Sequence, residues 1–212
     1  MDSSQTIDYY NNNAQAFTSS TLDITFSDIQ DRFLQHLRKN ALILDFGCGT
    51  GRDSRYFLQK GYRVEACDGS VEMVRIATQI TGIPVRQMMF SELDDCERYD
   101  GIWACASILH VPFTELPDIF RRMKIAVKTG GILYVSFKYG QFEGIRNGRC
   151  FTDMDEERLG QILQATEPLE ILETWTTNDV RPGREEEKWL NAILCKSMRP
   201  NTAQMKSLLP EA

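Results

Sequence analysis

Short apolar runs alternate with helical patterns of apolar residues along most of the chain. Five runs of mostly apolar residues occupy positions 41–46, 62–67, 84–89, 101–105 and 132–137. Runs of this length and composition are typical of strands that are buried on both faces of a parallel sheet. Because helical patterns separate them, the sequence predicts βαβ units and a mainly parallel α/β fold.

Three helices are predicted from their start signals or their apolar spacing. Ser27 with Gln30, and Thr152 with Asp155, have the spacing of a capping box, which begins a helix. The third helix shows a buried face at i, i+3, i+4, i+7 and i+11, in Leu116, Ile119, Phe120, Met123 and Val127. We expect it to end at residues 129–131, where glycine can adopt the left-handed conformation.

Two more β-type runs, 169–176 and 189–196, follow near the end of the chain. Only about a dozen residues separate them, which is too few for a crossover helix. The spacing therefore predicts an antiparallel hairpin at the edge of the sheet.

Composition narrows the classes of function. The 212 residues suit one α/β domain, and the net charge of −6 disfavours nonspecific binding of nucleic-acid backbones as the main activity. No window approaches the roughly 20 apolar residues that span a bilayer, and we expect no secretory signal. The six cysteines are scattered singly and there are only two histidines. We expect neither disulfides nor a metal site, which fits a cytoplasmic protein.

The most specific local pattern is at residues 43–52, where a predicted strand enters a glycine-rich turn and then a helix. Glycines there allow backbone N–H groups to approach a ligand at a helix N-terminus. A dinucleotide fold needs glycine or alanine at the sixth position from Gly47, where this chain has Arg52. Asp45 would repel a pyrophosphate but could hold an ammonium group, and Asp68 lies at a separation suited to ribose hydroxyls. The pattern favours a cationic nucleoside over NAD.

Four segments carry a family resemblance: LDFGCGTG (44–51), VEACDGS (64–70), YDGIWACASILHVP (99–112) and VKTGGILYVSF (127–137). Over roughly residues 41–137, the chain resembles the class I S-adenosylmethionine-dependent methyltransferases of the small, stand-alone type. The resemblance implies a Rossmann-like three-layer sandwich, with a mostly parallel seven-stranded sheet and an antiparallel last strand. It also implies S-adenosylmethionine as the cofactor.

We expect a single methyltransferase domain over residues 1–212. Within it we predict an N-terminal lid or substrate segment (1–26), a cofactor-binding core (41–137) and C-terminal substrate-side elements (138–198).

The resemblance also implies a set of cofactor-binding residues. The methionine part is assigned to Asp45, Gly47, Cys48, Gly49 and Arg52, the ribose to Asp68, Gly69 and Ser70, and the adenine to Phe90, Ser91 and Glu92. The family usually has an acid near the adenine amine, after the third strand. Since this chain has Phe-Ser-Glu-Leu there, we expect backbone groups to take that role. Ser107 is expected near the sulfonium.

His110 is the candidate general base, one helical turn beyond Ser107. The alternative is a buried, hydrogen-bonded structural histidine, because apolar residues surround it. An acceptor that is a thiol or an amine needs no base.

Two groups of residues are predicted to bind the substrate. The first is Tyr9, Tyr10 and Phe17 in the N-terminal segment, whose spacing is compatible with a lid helix. The second comes from two loops: Lys138, Tyr139, Arg146, Arg149, Arg181 and Arg184. Guanidinium groups suit phosphate or carboxylate, so we hypothesise an anionic acceptor. The alternative is that Arg181 and Arg184 pair with the glutamates at 185–187.

Three functions are compatible with these features. The first is transfer of a methyl group to an unidentified small molecule, for which an anionic acceptor is our hypothesis. The second is an RNA methyltransferase acting on a tRNA nucleoside, or a protein methyltransferase. The third is a cofactor-binding partner protein without chemistry of its own.

Overall fold

A computed structural model describes residues 4–166, 169–181 and 183–197. The strands are β1 (Leu42–Phe46), β2 (Arg63–Asp68), β3 (Val85–Gln87), β4 (Tyr99–Ala104), β5 (Val127–Lys138), β6 (Glu143–Arg146), β7 (Arg149–Thr152), β8 (Leu169–Asn178) and β9 (Lys188–Lys196). The helices are α1 (Ser4–Thr21), α2 (Ser27–Leu34), α3 (Arg52–Gln59), α4 (Val71–Thr81), α5 (Leu116–Ala126) and α6 (Glu156–Ala165). Two short 3-10 turns lie at Phe90–Glu92 and Ile108–His110.

The main sheet has seven strands in the order β3-β2-β1-β4-β5-β9-β8. Strands β1 to β5 pair in parallel, whereas β9 is antiparallel to both of its neighbours, β5 and β8. This confirms the predicted Rossmann-like sheet with an antiparallel last strand, and also the predicted hairpin at its edge. Since the order reverses at β1 and β4, the carboxyl ends of these strands form the edge where such sheets bind ligands.

The two faces of the sheet are packed by separate apolar clusters. Leu44 belongs to the cluster that includes α5 and α6, while its neighbour Ile43 belongs to the cluster that includes α2 and Phe57 of α3. Trp103 and Tyr134 stack with ring centroids 3.9 Å apart on the second face. Because both faces are covered, the central strands carry apolar residues at successive positions, which is the three-layer arrangement predicted from the sequence.

The helix predicted to begin at Ser27 does begin there, but neither predicted capping box forms. Phe26 precedes α2, and Gln30 is buried and donates to the Asp53 carboxylate instead of capping the helix. Thr152 ends β7, and its hydroxyl donates to the carbonyl of Val111 at 2.7 Å. Asp155 is itself the cap of α6, since its side chain accepts from the backbone N–H of Arg158 at 2.9 Å. In both cases a tertiary contact takes the side chain that local spacing assigned to a cap.

Helix α5 ends earlier than predicted. Its buried face has the expected residues, but β5 begins directly at Val127, so residues 129–131 lie in a strand. The last helical carbonyls, of Ile125 and Ala126, accept from the backbone N–H groups of Glu97 and Arg98 at 2.8 Å. With these carbonyls already satisfied, no glycine cap is needed.

Strands β6 and β7 form a separate two-stranded ribbon that the sequence analysis did not predict. The turn between them is Asn147-Gly148, with φ of 49° and 76°. Two successive positive φ values are typical of a type I′ hairpin turn, for which Asn-Gly is the strongest short sequence signal. None of the helices described here combines the length and hydrophobicity of a membrane span.

Candidate active site

A cavity of about 230 Å³ lies at the carboxyl ends of the central strands. Its floor comes from the segments after β1, β2, β4 and β5, and helix α1 covers it from the N-terminal side. Tyr10, Ala14 and Phe17 on one face of α1 pack with Met73 and Ile76 of α4, which holds the helix over the cavity. A helix is therefore present in the N-terminal segment and is docked on α4, and its role as a lid stays a prediction.

The glycine turn after β1 has a shape that only glycine allows. Gly47 has φ of 83°, and a Cβ there would lie 2.5 Å from the Cβ of Ser107 and 3.1 Å from the ring of Phe90. The N–H groups of Gly47 and Cys48 donate to the Cys67 carbonyl at 3.0 and 2.9 Å, which fixes the turn against β2. The missing side chain at Gly47 makes room for Ser107 and Phe90. At Gly49, by contrast, a Cβ would meet only the Phe17 ring, 3.8 Å away, so the backbone there is open to the cavity.

Asp68 ends β2 beside this turn and lines the cavity. Its carboxylate accepts from the backbone N–H groups of Gly49 and Ser70, both at 2.9 Å. Burial raises the pKa of Asp68, and the hydrogen bonds from Ser70, Gly49 and Gly69 oppose that shift. A carboxylate has about four acceptor positions, so two are left for a pair of hydroxyl groups on a ligand.

Asp45 lies beneath the turn, is 2% exposed and does not line the cavity. Ser54 donates to its carboxyl at 2.6 Å. Burial, together with the charge of Asp53, raises the pKa of Asp45. The assignment of an ammonium group to Asp45 stays a prediction, and the geometry points instead to a structural role under the turn.

The ionised acid of this region is Asp53, which the sequence analysis did not single out. Its carboxylate accepts from Gln30 and Trp103 at 2.7 and 2.8 Å, and from two nitrogens of Arg52. Burial opposes ionisation, but the charge of Arg52 and these hydrogen bonds lower the pKa of Asp53. Arg52 lines the cavity with its guanidinium over the ring of Phe26, at 4.6 Å. The pair forms a neutralised wall of the cavity.

The far end of the cavity is apolar. Phe90 packs edge-on against Phe46 at 4.8 Å, and Met88 and Met89 also line the cavity. Glu92 accepts from the backbone N–H of Met89 at 2.7 Å and does not line the cavity. Its carboxylate closes its own turn, so of the three predicted adenine contacts only Phe90 reaches the cavity.

His110 lies in the turn after β4 and is 9% exposed. Its Nδ1 is 2.6 Å from the carbonyl oxygen of Cys150. Because a carbonyl only accepts, Nδ1 carries the proton and Nε2 is an acceptor, which the hydroxyl of Tyr10 reaches at 3.0 Å. Burial lowers the pKa of His110 to about 4, so the imidazole is neutral at physiological pH.

Four of the five predicted substrate-binding cations already have acidic partners. Arg146 makes two hydrogen bonds to Asp153, at 2.9 and 2.8 Å, and does not line the cavity. The other three pairs are Arg181 with Asp179, Lys138 with Asp179 and Glu187, and Arg184 with Glu187 at 3.8 Å. Arg149 is the exception, with no carboxylate within 4.0 Å among the described residues.

The structure brings most of the predicted residues together around the cavity. Those that line it are Gly47, Cys48, Gly49, Arg52, Asp68, Gly69, Phe90, Ser107, His110, Tyr10, Phe17, Lys138, Arg149, Arg181 and Arg184. Those that do not are Asp45, Ser70, Ser91, Glu92, Tyr9, Tyr139 and Arg146. Ser70 instead accepts from the backbone N–H of Met73 and caps α4.

Sequence reasoning missed several lining residues. From α1 these include Thr6, Ile7 and Thr21, and from later segments Met88, Met89, Cys105, Ser136, Phe151, Trp189 and Asn191. The α1 residues share the helical face of Tyr10 and Phe17, so the 3.6-residue period could have found them. Phe151 follows the Asn-Gly turn, whose hairpin signal could have placed it.

Comparison with known proteins agrees with this geometry. Residues 43–131 match a family model described as a methyltransferase domain. The structure of 1,6-didemethyltoxoflavin-N1-methyltransferase from Burkholderia thailandensis, with bound 1,6-didemethyltoxoflavin and S-adenosylhomocysteine, is 23% identical with a TM-score of 0.72, and the match covers 92% of this chain and 86% of that one. No curated protein sequence matches the chain.

Two further solved structures have the same fold. Magnesium protoporphyrin IX methyltransferase from Synechocystis PCC 6803, with bound S-adenosylhomocysteine, is 18% identical with a TM-score of 0.72, covering 92% of this chain and 100% of that one. The cyclase SpnF is 16% identical with a TM-score of 0.76, covering 93% and 98%. The chain therefore has a methyltransferase-domain match over its sheet core and shares the fold of these solved structures.

Proposed function

We propose that the chain transfers a methyl group from S-adenosylmethionine to a small molecule held in the cavity under α1. The observation that carries the proposal is the combination of a glycine turn open to a ligand, a carboxylate with two spare acceptor positions, and a lid helix docked over both. When bound, S-adenosylmethionine supplies an electrophilic methyl group on a sulfonium.

The residues of the cavity fit this cofactor. The backbone of Gly47 and Gly49 would hold the methionine part, and Asp68 would accept from the two ribose hydroxyls with the positions that Gly49 and Ser70 leave free. Phe90, Met88 and Met89 form an apolar slot for the adenine. Arg52 cannot offer its charge to a second anion without weakening its bonds to Asp53, so its role is to close the cavity wall.

Methyl transfer depends mainly on the alignment of the reacting atoms. In-line displacement requires the nucleophile, the methyl carbon and the sulfur to be collinear, and orientation of this kind can supply roughly 7 to 11 kcal/mol. Helix α1 excludes water from the cavity by packing Tyr10 and Phe17 over it. Among the described residues no cluster of His, Cys, Asp and Glu is suited to hold a metal ion.

His110 would be a weak base at this site, because its pKa is about 4. The unprotonated nitrogen, Nε2, accepts a hydrogen bond from the hydroxyl of Tyr10. A proton leaving the methyl acceptor would therefore reach His110 through that hydroxyl, or after the tyrosine moves. A base of this strength suits an amine, a thiolate or an acceptor that is already ionised, and does not suit a simple alcohol.

A small acceptor is favoured over a macromolecule for two reasons. The cavity is covered by α1, and four of the five cations that could contact a phosphate backbone are paired with carboxylates of the same chain. The fold alone does not determine the class of acceptor, since a cyclase and small-molecule methyltransferases share it. The cover that α1 forms over the cavity is the feature that favours a small acceptor over RNA or protein.

The acceptor class can be tested with S-adenosylmethionine that carries a labelled methyl group. The purified protein is incubated with it and a cell extract divided by ultrafiltration into small molecules, RNA and protein. We expect label in the small-molecule fraction, and much less of it with Asp68→Asn at a subsaturating cofactor concentration, because that variant lacks the carboxylate for the ribose. Label in RNA or protein would overturn the proposal in favour of a macromolecular acceptor. Cofactor binding without transfer to any fraction would favour a partner protein.

A further inference from the structure

Arg149 is a buried cation in the cavity that the cofactor residues do not use. It is the first residue of β7, directly after the Asn147-Gly148 turn, and is 9% exposed. The side chain lines the cavity, and its Nε is buried without a hydrogen-bond partner. Its Nη1 makes a long hydrogen bond of 3.4 Å to the hydroxyl of Tyr10. A guanidinium has five N–H donors, so this one is far from satisfied by the described part of the chain.

A buried guanidinium without an acidic partner lowers the stability of the folded protein unless an anion pairs with it. Taking a charge out of water is unfavourable by several kcal/mol, and proteins normally offset this with a counter-ion. The neighbouring cation Arg146, on the other strand of the same ribbon, has such a partner in Asp153. Arg52, which also lines the cavity, has Asp53. Arg149 alone among the cavity cations described here has no acid of the chain beside it.

The surroundings of Arg149 define the ligand chemistry. The planes of Tyr9 and Phe151 lie near its guanidinium, with ring centroids 4.6 and 5.1 Å away. The rings of Tyr10 and His110 form a T-shaped pair nearby, with centroids 5.6 Å apart. A single planar guanidinium matches one carboxylate through two parallel hydrogen bonds. A phosphate group would require further unpaired donors, and the other cations nearby are already paired. The aromatic walls suit a flat ring attached to that carboxylate.

The position of Arg149 in the cavity indicates that the carboxylate it would bind belongs to the methyl acceptor and not to the cofactor. The groups assigned to the cofactor lie after β1, β2 and β3, and Ser107 abuts Gly47 on that side. Arg149 comes from the β6–β7 ribbon and reaches the cavity on the side of His110, whose ring Nδ1 is held by the next residue, Cys150. It therefore flanks the candidate base and not the glycine turn.

We propose that Arg149 binds a carboxylate of the methyl acceptor, and that the acceptor is a small aromatic carboxylic acid. The inference rests on the proposed function, because it needs a cofactor in the other part of the cavity. Of the five cations predicted to bind the substrate, the inference keeps only Arg149. It also specifies that the anionic group of the acceptor is a carboxylate.

The test uses three aromatic carboxylates, benzoate, 2-naphthoate and indole-2-carboxylate, and the primary amide of each. Their affinity is measured by calorimetry for the protein saturated with S-adenosylhomocysteine. We expect at least one acid to bind the wild type at least tenfold more tightly than its amide. In Arg149→Met the acid should lose about 10- to 100-fold in affinity, the range expected for hydrogen bonds to a charged group, and the amide should lose little. Arg149→Lys should keep part of the preference.

Arg184→Met is the matched control, because it removes the same charge from a cation that lines the cavity but pairs with Glu187. We expect it to bind the acids as the wild type does. Arg149→Met should fold at least as stably as the wild type, since methionine fills similar space without a buried charge.

Three results would overturn the inference. The first is that no acid binds more tightly than its amide. The second is that Arg184→Met weakens acid binding as much as Arg149→Met. The third is that Arg149→Met weakens S-adenosylhomocysteine itself by tenfold or more, which would assign the guanidinium to the cofactor's carboxylate. If the wild type does not bind S-adenosylhomocysteine, the proposed function fails, and the comparison of acids with amides is then made on the protein alone.

Discussion

The two sides of the cavity, the glycine turn with Asp68 and the lid side around Tyr10, obtain their polar groups in different ways. On the first side the contacts are local: the Gly49 N–H reaches Asp68 over 19 residues, and that of Ser70 reaches it over two. On the second side, Tyr10 reaches His110 over 100 residues, and Thr6 accepts from the N–H of Cys150 over 144. One side is built by a single βαβ unit, and the other requires the whole chain to be folded.

This difference suggests that one side binds the cofactor and the other selects the methyl acceptor. The turn side presents backbone groups and one carboxylate in a fixed geometry, which suits a ligand common to a large family. The lid side presents Tyr10 from α1, the buried His110 from the turn after β4, and Arg149 of the β6–β7 ribbon, which has no acidic partner among the described residues. We infer that changes on the turn side abolish cofactor binding, whereas changes on the lid side alter the choice of acceptor.

The largest expected effect comes from Gly47→Ala. The new Cβ would lie 2.5 Å from that of Ser107, at a φ of 83°. Strain and overpacking together should lower the free energy of unfolding by about 2 to 6 kcal/mol and abolish cofactor binding. Gly61→Ala is the control, because its φ is 84° and nothing lies within 4 Å of the new Cβ. It should cost about 1 kcal/mol and leave binding intact, and an equal loss in both variants would contradict the account.

A pH effect of about 3 kcal/mol is expected on the lid side. The pKa of His110 is about 4 in the folded protein, against 6.5 for a free imidazole. As the pH falls from 6.5 to 4, the unfolded chain binds a proton that the folded chain does not, so stability falls through this window and is fully present above it. Urea unfolding of the wild type and His110→Gln at several pH values measures the effect as a difference. Parallel curves would show that the imidazole is not buried in its neutral form.

The turn side should respond to Asp68→Asn in binding more than in stability. The amide keeps one acceptor oxygen but replaces the other with a donor, which opposes one of the backbone N–H groups that now bond to the carboxylate. We expect the affinity for S-adenosylhomocysteine to fall by about 10- to 100-fold. Calorimetry measures this, with Glu92→Gln as a control whose side chain does not line the cavity. Equal losses in the two variants would remove the special role of Asp68.

The smallest expected effect is that of Tyr10→Phe. The variant removes the hydroxyl between His110 and Arg149 but keeps the ring that packs against Phe17. It should cost about 1 kcal/mol of stability, the usual value of one hydrogen bond, and leave cofactor affinity unchanged. Tyr9→Phe is the matched control on the same helix and should be neutral. A loss of cofactor affinity in Tyr10→Phe would show that the two sides are not separate.

The features that the sequence predicts are mostly local, as on the turn side, and those it does not predict are mostly contacts between distant segments, as on the lid side. The mainly parallel sheet and the glycine turn are predictable, because buried parallel strands and a positive-φ turn leave local signatures at residues such as Gly47. The pairs of Arg181 with Asp179 and of Arg146 with Asp153 are two and seven residues apart, so local reasoning could have found them. The pairing of Lys138 with Asp179 was not predicted, since it joins segments 41 residues apart that meet only after folding. Asp45 shows the same limit: its position in the turn is local, but its burial under α3 is not.

The central claim is that the turn after β1 and the carboxylate of Asp68 hold an adenosyl amino acid. Calorimetric titration of the purified wild-type protein with S-adenosylhomocysteine, and separately with NAD, tests it most directly. The account predicts one binding site for S-adenosylhomocysteine and no heat from NAD. Tight binding of NAD with no heat from S-adenosylhomocysteine would contradict it.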